Sequence, residues 1–110
     1  MTLDSLIGRD GGSCVWCGHA PWRRDLTAEH LLPRARHGHG VAENLALACR
    51  QCNKRRRTRS VAGYVRAQLD AGERPRLDLL RAALERLSQS ASRRHAEYGR
   101  RELQLLSRLY

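Results

Sequence analysis

The sequence contains no phenylalanine, and tryptophan and tyrosine bring the aromatic fraction to only 5% of its 110 residues. Aromatic rings contribute much of the buried area in many cores, so this chain must build its interior from leucine, alanine and some further support. A chain of this length buries only about 60–70% of its unfolded surface and often needs an added constraint. The apolar fraction of 41% excludes a disordered tail. We therefore expect one small folded domain, with its four cysteines as the added constraint.

Long hydrophobic segments are also missing. No stretch approaches the roughly 20 apolar residues of a membrane-spanning helix, and residues 1–10 carry two aspartates without a continuous apolar run. These features predict a cytoplasmic protein with no secretory signal and no membrane partner. Thiols stay reduced in that compartment, so paired cysteines point to a metal before a disulfide.

Acidic residues are absent from residues 50–59, which carry six basic residues. Residues 1–49 balance five arginines with five acids, and residues 60–110 hold ten arginines and six acids, so the short block supplies six of the ten net positive charges. Such a concentration suits contacts with phosphates, because the guanidinium group offers a bidentate fork. A solvated basic helix face is the alternative. The residues that we expect to contact nucleic acid are Arg34, Arg36, Lys54, Arg55, Arg56, Arg57 and Arg59.

The cysteines form two CxxC pairs, Cys14 with Cys17 and Cys49 with Cys52, separated by 31 residues. Two intervening residues allow both sulfurs of a pair to reach one ion, and a glycine after the first pair permits a left-handed turn. We predict a closed, structural Zn²⁺ site formed by all four cysteines, with His19 a bystander. Two disulfides are the alternative.

The separation between the pairs suits an inserted strand, loop and strand. Residues 26–32 read as a strand that ends at Pro33, and residues 45–48 form a second apolar run. The short loop between them favours an antiparallel pair. The basic sequence after Cys49 favours a helix that starts within the second CxxC motif.

A helical pattern follows from Ser60. Residues 61–69 and the leucines of residues 77–87 recur at helical spacing, and the pattern resumes over residues 98–109 with an expected break at Gly99. The predicted fold class is therefore α+β, with a zinc-supported core in residues 1–59 and a helical extension in residues 60–110. The leucine stripe of the extension must pack on the core, on itself, or on a second copy in a homodimer.

The central segment resembles the HNH endonucleases. The resemblance lies in the order CxxC, Glu29-His30-x-x-Pro33, Asn44, and CxxC followed by Asn53, and it covers about residues 14–57. It implies a small ββα-metal core, treble-clef-like, in the four-cysteine zinc-supported subgroup of that family.

The resemblance also implies roles for individual residues. His30 occupies the position of the general base that takes a proton from the attacking water. Asn44 occupies the position that holds the loop and orients the base. Asn53 and Glu29 occupy the positions that bind a catalytic Mg²⁺ or Mn²⁺. Glutamate stands where aspartate is common, and asparagine stands where histidine also occurs.

The resemblance predicts hydrolysis of phosphodiester bonds in DNA, most simply double-stranded DNA, by nicking or double-strand cleavage. Small members of this family resemble phage-encoded nucleases and also bacterial and mobile-element nucleases, and the sequence does not separate these settings. The alternative is a non-catalytic zinc-dependent nucleic-acid-binding module, or a partner subunit of another DNA-processing enzyme. A redox CxxC protein would leave the arginine block unexplained. His37 and His39 are interpreted as exposed loop histidines.

Overall fold

Two short antiparallel strands form the only sheet in residues 1–109, the part of the chain that the computed structural model describes. Strand β1 spans Leu26–His30 and strand β2 spans Leu45–Cys49, with Leu26 opposite Cys49 and His30 opposite Leu45. The predicted antiparallel pair is confirmed, although β1 ends two residues earlier than expected. This register places a cysteine at one end of the hairpin and His30 at the other.

Helix α1, Leu3–Asp10, covers one face of the hairpin. It begins where Thr2 Oγ1 accepts a hydrogen bond from the Ser5 amide at 3.0 Å. It ends at Gly11, whose φ of 77° is the left-handed conformation that glycine adopts without strain. Its buried Leu6 packs with leucines of both strands.

Helix α2, Arg50–Arg56, starts directly after β2, as the sequence predicted. Cys49 is its N-cap, and its Sγ accepts a hydrogen bond from the Cys52 amide at 3.4 Å. The loops of the hairpin region contain three single 3-10 turns, which are Arg23–Asp25, Arg34–Arg36 and Ala42–Asn44.

Three helices follow: α3, Val61–Asp70, α4, Leu77–Ser88, and α5, Arg93–Arg108. The leucines of the predicted stripe face inward, and Leu80, Leu84 and Leu87 are completely buried. They share one core with Trp16 and the cysteines. The stripe is therefore used within the chain. The last residue of the predicted extension, Tyr110, lies outside the described residues.

The predicted break at Gly99 is wrong, because α5 runs through it without interruption. A Cβ atom at this position would lie 2.8 Å from the Ser88 nitrogen and 3.0 Å from the Leu84 oxygen. Glycine is therefore required for the close approach of α4 and α5, not for a turn.

The arrangement is mixed α+β with C-terminal helices, as the sequence predicted. No helix in residues 1–109 combines the length and the apolar character needed to cross a membrane.

Candidate functional site

The four cysteines converge at one end of the hairpin. Their sulfur atoms all lie within 4.8 Å of one another, although the two pairs are far apart in sequence. A tetrahedral zinc ion with Zn–S bonds of about 2.3 Å places its sulfurs about 3.8 Å apart. The donor set and its spacing therefore fit zinc, and the four cysteines could bind a structural ion.

The surroundings of the sulfurs also favour a metal. Backbone amides of Trp16 and Cys52 each donate to a cysteine sulfur at 3.4 Å, which favours the thiolate form. Hydrogen bonding from Cys52 lowers the pKa of Cys14 to about 5. Burial raises the pKa of Cys17 to about 11, and repulsion from the Cys14 thiolate adds to this effect. Four thiolates whose sulfurs lie within 4.8 Å of one another need a bound cation to coexist.

His30 lies at the opposite end of the hairpin, where β1 ends. Its imidazole is half-buried, and Arg34 Nε donates a hydrogen bond to its Nε2 at 3.3 Å. Burial lowers the pKa of His30, and the nearby charges of Arg34 and Arg56 lower it further. The ring is therefore held neutral near pH 7, with Nε2 available as a hydrogen-bond acceptor.

Asn44 connects the two sides of the loop beside His30. Its side chain is completely buried. Its Oδ1 accepts from the Leu32 amide at 2.8 Å, and its Nδ2 donates to the carbonyls of Leu32 at 3.1 Å and of His39 at 2.9 Å. The segment after β1 and the segment before β2 are thus tied together at the same residue.

Glu29 points to the other face of β1 and is only 4% exposed. Its Oε2 accepts from Trp16 Nε1 at 3.0 Å, and its Oε1 accepts from Arg56 Nη1 at 3.1 Å. Burial raises the pKa of Glu29, while Arg56 opposes the shift. This carboxylate does not face solvent beside His30. Inside the fold it connects the segment Cys14–Cys17, which we call the first knuckle, with β1 and α2.

Asn53 completes this internal group. When its amide is oriented to satisfy both partners, its nitrogen donates to the two Glu29 oxygens at 3.1 and 3.2 Å. The structure therefore brings Glu29 and Asn53 together, as the motif order indicates. It also surrounds the carboxylate with three nitrogen donors where a cation would need open oxygens.

Arg56 requires a correction to the predicted nucleic-acid surface, because its side chain is completely buried. Besides Glu29, its guanidinium donates to the carbonyl oxygens of His30 at 2.6 Å and of Arg59 at 2.6 Å, and also to that of Leu31. This arginine fixes the end of β1 and cannot reach a phosphate. Its position four residues after Cys52 was the available signal, since both residues share the inward face of α2.

The remaining arginines and lysine of the predicted surface are exposed. Lys54, Arg55, Arg57 and Arg59 follow or flank α2, and Arg34 and Arg36 lie on the turn after Pro33. Arg55 also forms an exposed ion pair with Glu73 at 3.7 Å. His37 and His39 are exposed, in agreement with their interpretation as loop residues.

One residue beside the site was missed from the sequence. His95, on α5, is 1% exposed, and its Nε2 accepts a hydrogen bond from the His39 amide at 3.0 Å. The two imidazole rings are 5.7 Å apart. The available signal was a polar residue at a core-facing position of α5, in helical register with Gly99, Glu102 and Leu106.

One segment of the chain contains the four-cysteine cluster, the two-stranded hairpin with His30 at its far end, and the short helix α2. Residues 14–59 match the HNH endonuclease family. The match confirms the predicted resemblance, and it extends two residues beyond the segment inferred from the motifs. No curated protein matches the chain.

The HNH match indicates a nuclease-type function that involves nucleic acid. The matched segment contains the four cysteines together with His30, Asn44 and Asn53, and it excludes helices α3 to α5.

Proposed function

We propose that this chain is an HNH endonuclease that hydrolyses phosphodiester bonds of double-stranded DNA, with His30 as the general base. The observation that carries the proposal is the placement of His30 at the exposed end of β1, within the HNH segment and beside Arg34. A neutral imidazole with a lone pair on Nε2 is the form that can accept a proton from water.

The reaction needs the His30 lone pair to be free. Arg34 donates to Nε2 through a single exposed contact of 3.3 Å, and an incoming phosphate is the stronger partner for its guanidinium. With Arg34 on the phosphate, Nε2 accepts the proton of a water whose oxygen forms the new bond to phosphorus. The bond from phosphorus to the 3′ oxygen then breaks, and the leaving oxygen takes a proton from solvent. The products are a 5′-phosphate and a 3′-hydroxyl.

Asn44 has a positioning role in this proposal. Its three hydrogen bonds hold the backbone on either side of the loop that flanks His30. Arg56 also has a positioning role, because it donates a hydrogen bond to the His30 carbonyl oxygen. Neither side chain contacts the reacting atoms.

A catalytic Mg²⁺ or Mn²⁺ on Glu29 and Asn53 is the part of the HNH resemblance that fits this structure least well. The carboxylate already has three nitrogen donors, and the Arg56 guanidinium neutralises its charge at 3.1 Å. We therefore assign no step to a cation, and we treat cation dependence as a quantity to be measured.

We include the structural zinc in the proposal. The ion would be held by Cys14, Cys17, Cys49 and Cys52, at the hairpin end away from His30. The ion would join three parts of the fold. These are the first knuckle, which contains Trp16, strand β2, which follows Asn44, and helix α2, which contains Arg56. A dimer through the C-terminal helices has no support from the leucine stripe, because that stripe is buried within the described chain.

The test is cleavage of supercoiled plasmid by the wild-type protein and a His30→Ala variant, each with Mg²⁺, with Mn²⁺ and with a chelator that spares the zinc. His19→Ala is the matched control, because His19 is an exposed histidine near the cysteine end. We expect nicked or linear plasmid with the wild type and the control only. Intact plasmid with wild type under every condition would refute the proposal.

A non-catalytic nucleic-acid-binding module is the second candidate, and one observation favours it. The Glu29–Arg56 pair occupies the acidic position beside His30 that a cation would use. This candidate predicts that the wild type and His30→Ala shift plasmid equally in a gel and that neither cleaves it.

A further inference from the structure

Helix α5 lies outside the HNH segment but reaches the proposed cleavage site. His95, in its first turn, accepts the hydrogen bond from the His39 amide. His39 belongs to the same loop that Asn44 ties to β1, and its neighbour Gly40 lies against the His30 imidazole. The N-terminal half of α5 is therefore next to the loop that flanks the proposed base.

A groove runs between this half of α5 and the turn after Pro33. Its walls and floor consist of two apolar or aromatic residues and four arginines, which are Leu32, Tyr98, Arg36, Arg93, Arg94 and Arg101. We call it the α5 groove. Arg36 lies on the same 3-10 turn as Arg34, whose guanidinium contacts His30, so the turn that lines the groove also reaches the proposed site.

The α5 groove has an excess of positive charge. Its single acidic residue, Glu97, pairs with Arg93 at 2.8 Å, so four arginines and one glutamate leave a net charge of +3. Arg36 and Arg94 form no ion pair with any residue in the range 1–109. Arg101 lies 5.8 Å from the Tyr98 ring centre, which holds its guanidinium at the groove wall.

The arginines come from two elements and face the same space. On α5, positions 94, 98 and 101 recur at steps of four and three, which places them on one side of the helix. Arg36 faces them from the turn. Guanidinium groups on two walls suit a chain of phosphates, because each can donate two hydrogen bonds to one phosphate.

We propose that the α5 groove binds the phosphates of the DNA strand next to the phosphate that is cleaved at His30. The inference rests on the proposed endonuclease function and deepens it, because it extends the DNA-binding surface from the HNH segment to the C-terminal helices. Because the turn Arg34–Arg36 contributes one arginine to His30 and another to the groove, a single strand that contacts this turn can meet both. Helix α5 is then a substrate-binding element.

The test compares two double variants that remove equal charge. Arg94→Ala with Arg101→Ala removes two groove arginines. Arg81→Ala with Arg100→Ala removes two exposed arginines from α4 and α5 that do not line the groove. Affinity for a fluorescein-labelled DNA duplex is measured by fluorescence anisotropy at several NaCl concentrations. Gel electrophoresis of the duplex after each titration verifies that it is uncleaved, and circular dichroism checks the fold of each variant.

We expect the groove variant to bind about tenfold or more weakly at low salt, while the control variant binds within about twofold of the wild type. The slope of log affinity against log salt concentration should fall by about 0.9 for each lost phosphate contact, or about 2 in total. Equal weakening in both double variants, or no weakening in the groove variant, would overturn the inference.

The outcome also separates the inference from the proposed function. If the wild type cleaves plasmid but the groove variant binds duplex as tightly as the wild type, only the groove assignment fails. If the wild type binds duplex through the groove but cleaves no plasmid, only the endonuclease proposal fails. If the wild type binds no duplex at low salt, the groove assignment fails as well.

Discussion

At the scale of single residues, the fold depends on one buried ion pair. Arg56 and Glu29 neutralise each other at 3.1 Å, and their remaining polar atoms are satisfied by Trp16, Asn53 and backbone carbonyls. Breaking such a pair by removing one charge costs more than its net contribution, because the other charge is left buried and unmatched.

Glu29→Gln should therefore lower the free energy of unfolding by about 3 kcal/mol, since the buried guanidinium of Arg56 loses its counter-charge. Urea denaturation with zinc present measures this change. Glu73→Gln is the control, because Glu73 pairs with Arg55 in an exposed contact of 3.7 Å. That substitution should change the free energy of unfolding by less than about 1 kcal/mol. Equal effects of the two substitutions would show that the buried pair does not stabilise the fold.

The sequence shows residue types and spacing at this scale, but not which member of a basic run turns inward. Residues 54–57 read as four equivalent cations in the sequence. The structure separates Arg56 from its neighbours, because it alone lies on the face of α2 that carries Cys52. The motif residues were found from the sequence because the HNH segment orders them along the chain. The contact of Glu29 with Trp16 and the contact of His39 with His95 were not found, because each joins separate parts of the chain.

At the scale of elements, the packing of α5 on α4 and on the site loop is the main addition to what the sequence predicted. Helical periodicity located both helices, but it treated Gly99 as a break when this residue is a contact point. Periodicity reports which residues face inward and does not report how closely two helices approach.

Gly99→Ala should destabilise the protein by about 1–3 kcal/mol, because its methyl group would meet backbone atoms of α4 at 2.8 and 3.0 Å. Gly8→Ala is the matched control, since Gly8 lies in helix α1 with no atom within 4 Å of an added Cβ. Alanine there should stabilise the protein by about 0.5–1 kcal/mol. Thermal or urea denaturation distinguishes the two signs. A stabilising Gly99→Ala substitution would contradict the close approach of the helices.

The contact between α5 and the loop should make stability depend on pH. Burial lowers the pKa of His95, and nearby His39 and Arg94 lower it further, while Glu43 opposes them. His30 is also within electrostatic range. Because the folded state binds the proton less readily than the unfolded state, the stabilisation by His95 is complete above its ordinary pKa of about 6.5. It is lost as the pH falls through the lowered folded-state value.

His95→Gln removes this titration but keeps an acceptor for the His39 amide. The free energy of unfolding should fall more steeply between pH 7.5 and pH 5.5 in the wild type than in the variant, at equal zinc concentration. Because the comparison is made between two proteins with the same cysteines, the pH dependence of zinc binding cancels. Identical pH profiles would show that His95 is not held neutral in the fold.

At the scale of the whole molecule, we propose separate tasks for the two ends of one hairpin. The four cysteine sulfurs converge at one end, and at the other end His30 contacts the exposed Arg34. Within residues 1–109, the core that connects these ends contains three large aromatic side chains, which are Trp16, Tyr64 and Tyr98. A core with so few large side chains is of the kind that a structural metal can support.

Removal of zinc should therefore unfold the protein or lower its melting temperature by tens of degrees, because binding free energy contributes directly to folding in small zinc domains. The purified protein should contain one zinc ion per chain by elemental analysis. Dialysis against a strong chelator, followed by circular dichroism, measures the effect. Zn²⁺ should restore the fold and Mg²⁺ should not. A chelated protein with unchanged melting behaviour would contradict the structural role of the cluster.

The central claim is that His30 performs chemistry on DNA held by the surrounding basic surface. The most direct measurement is the single-turnover rate of plasmid nicking by His30→Ala, with DNA affinity and zinc content determined on the same preparation. We expect a rate about 100- to 10,000-fold below that of the wild type, with zinc content unchanged and affinity within about twofold. Nicking by the His30→Ala variant at the wild-type rate would contradict the role of His30.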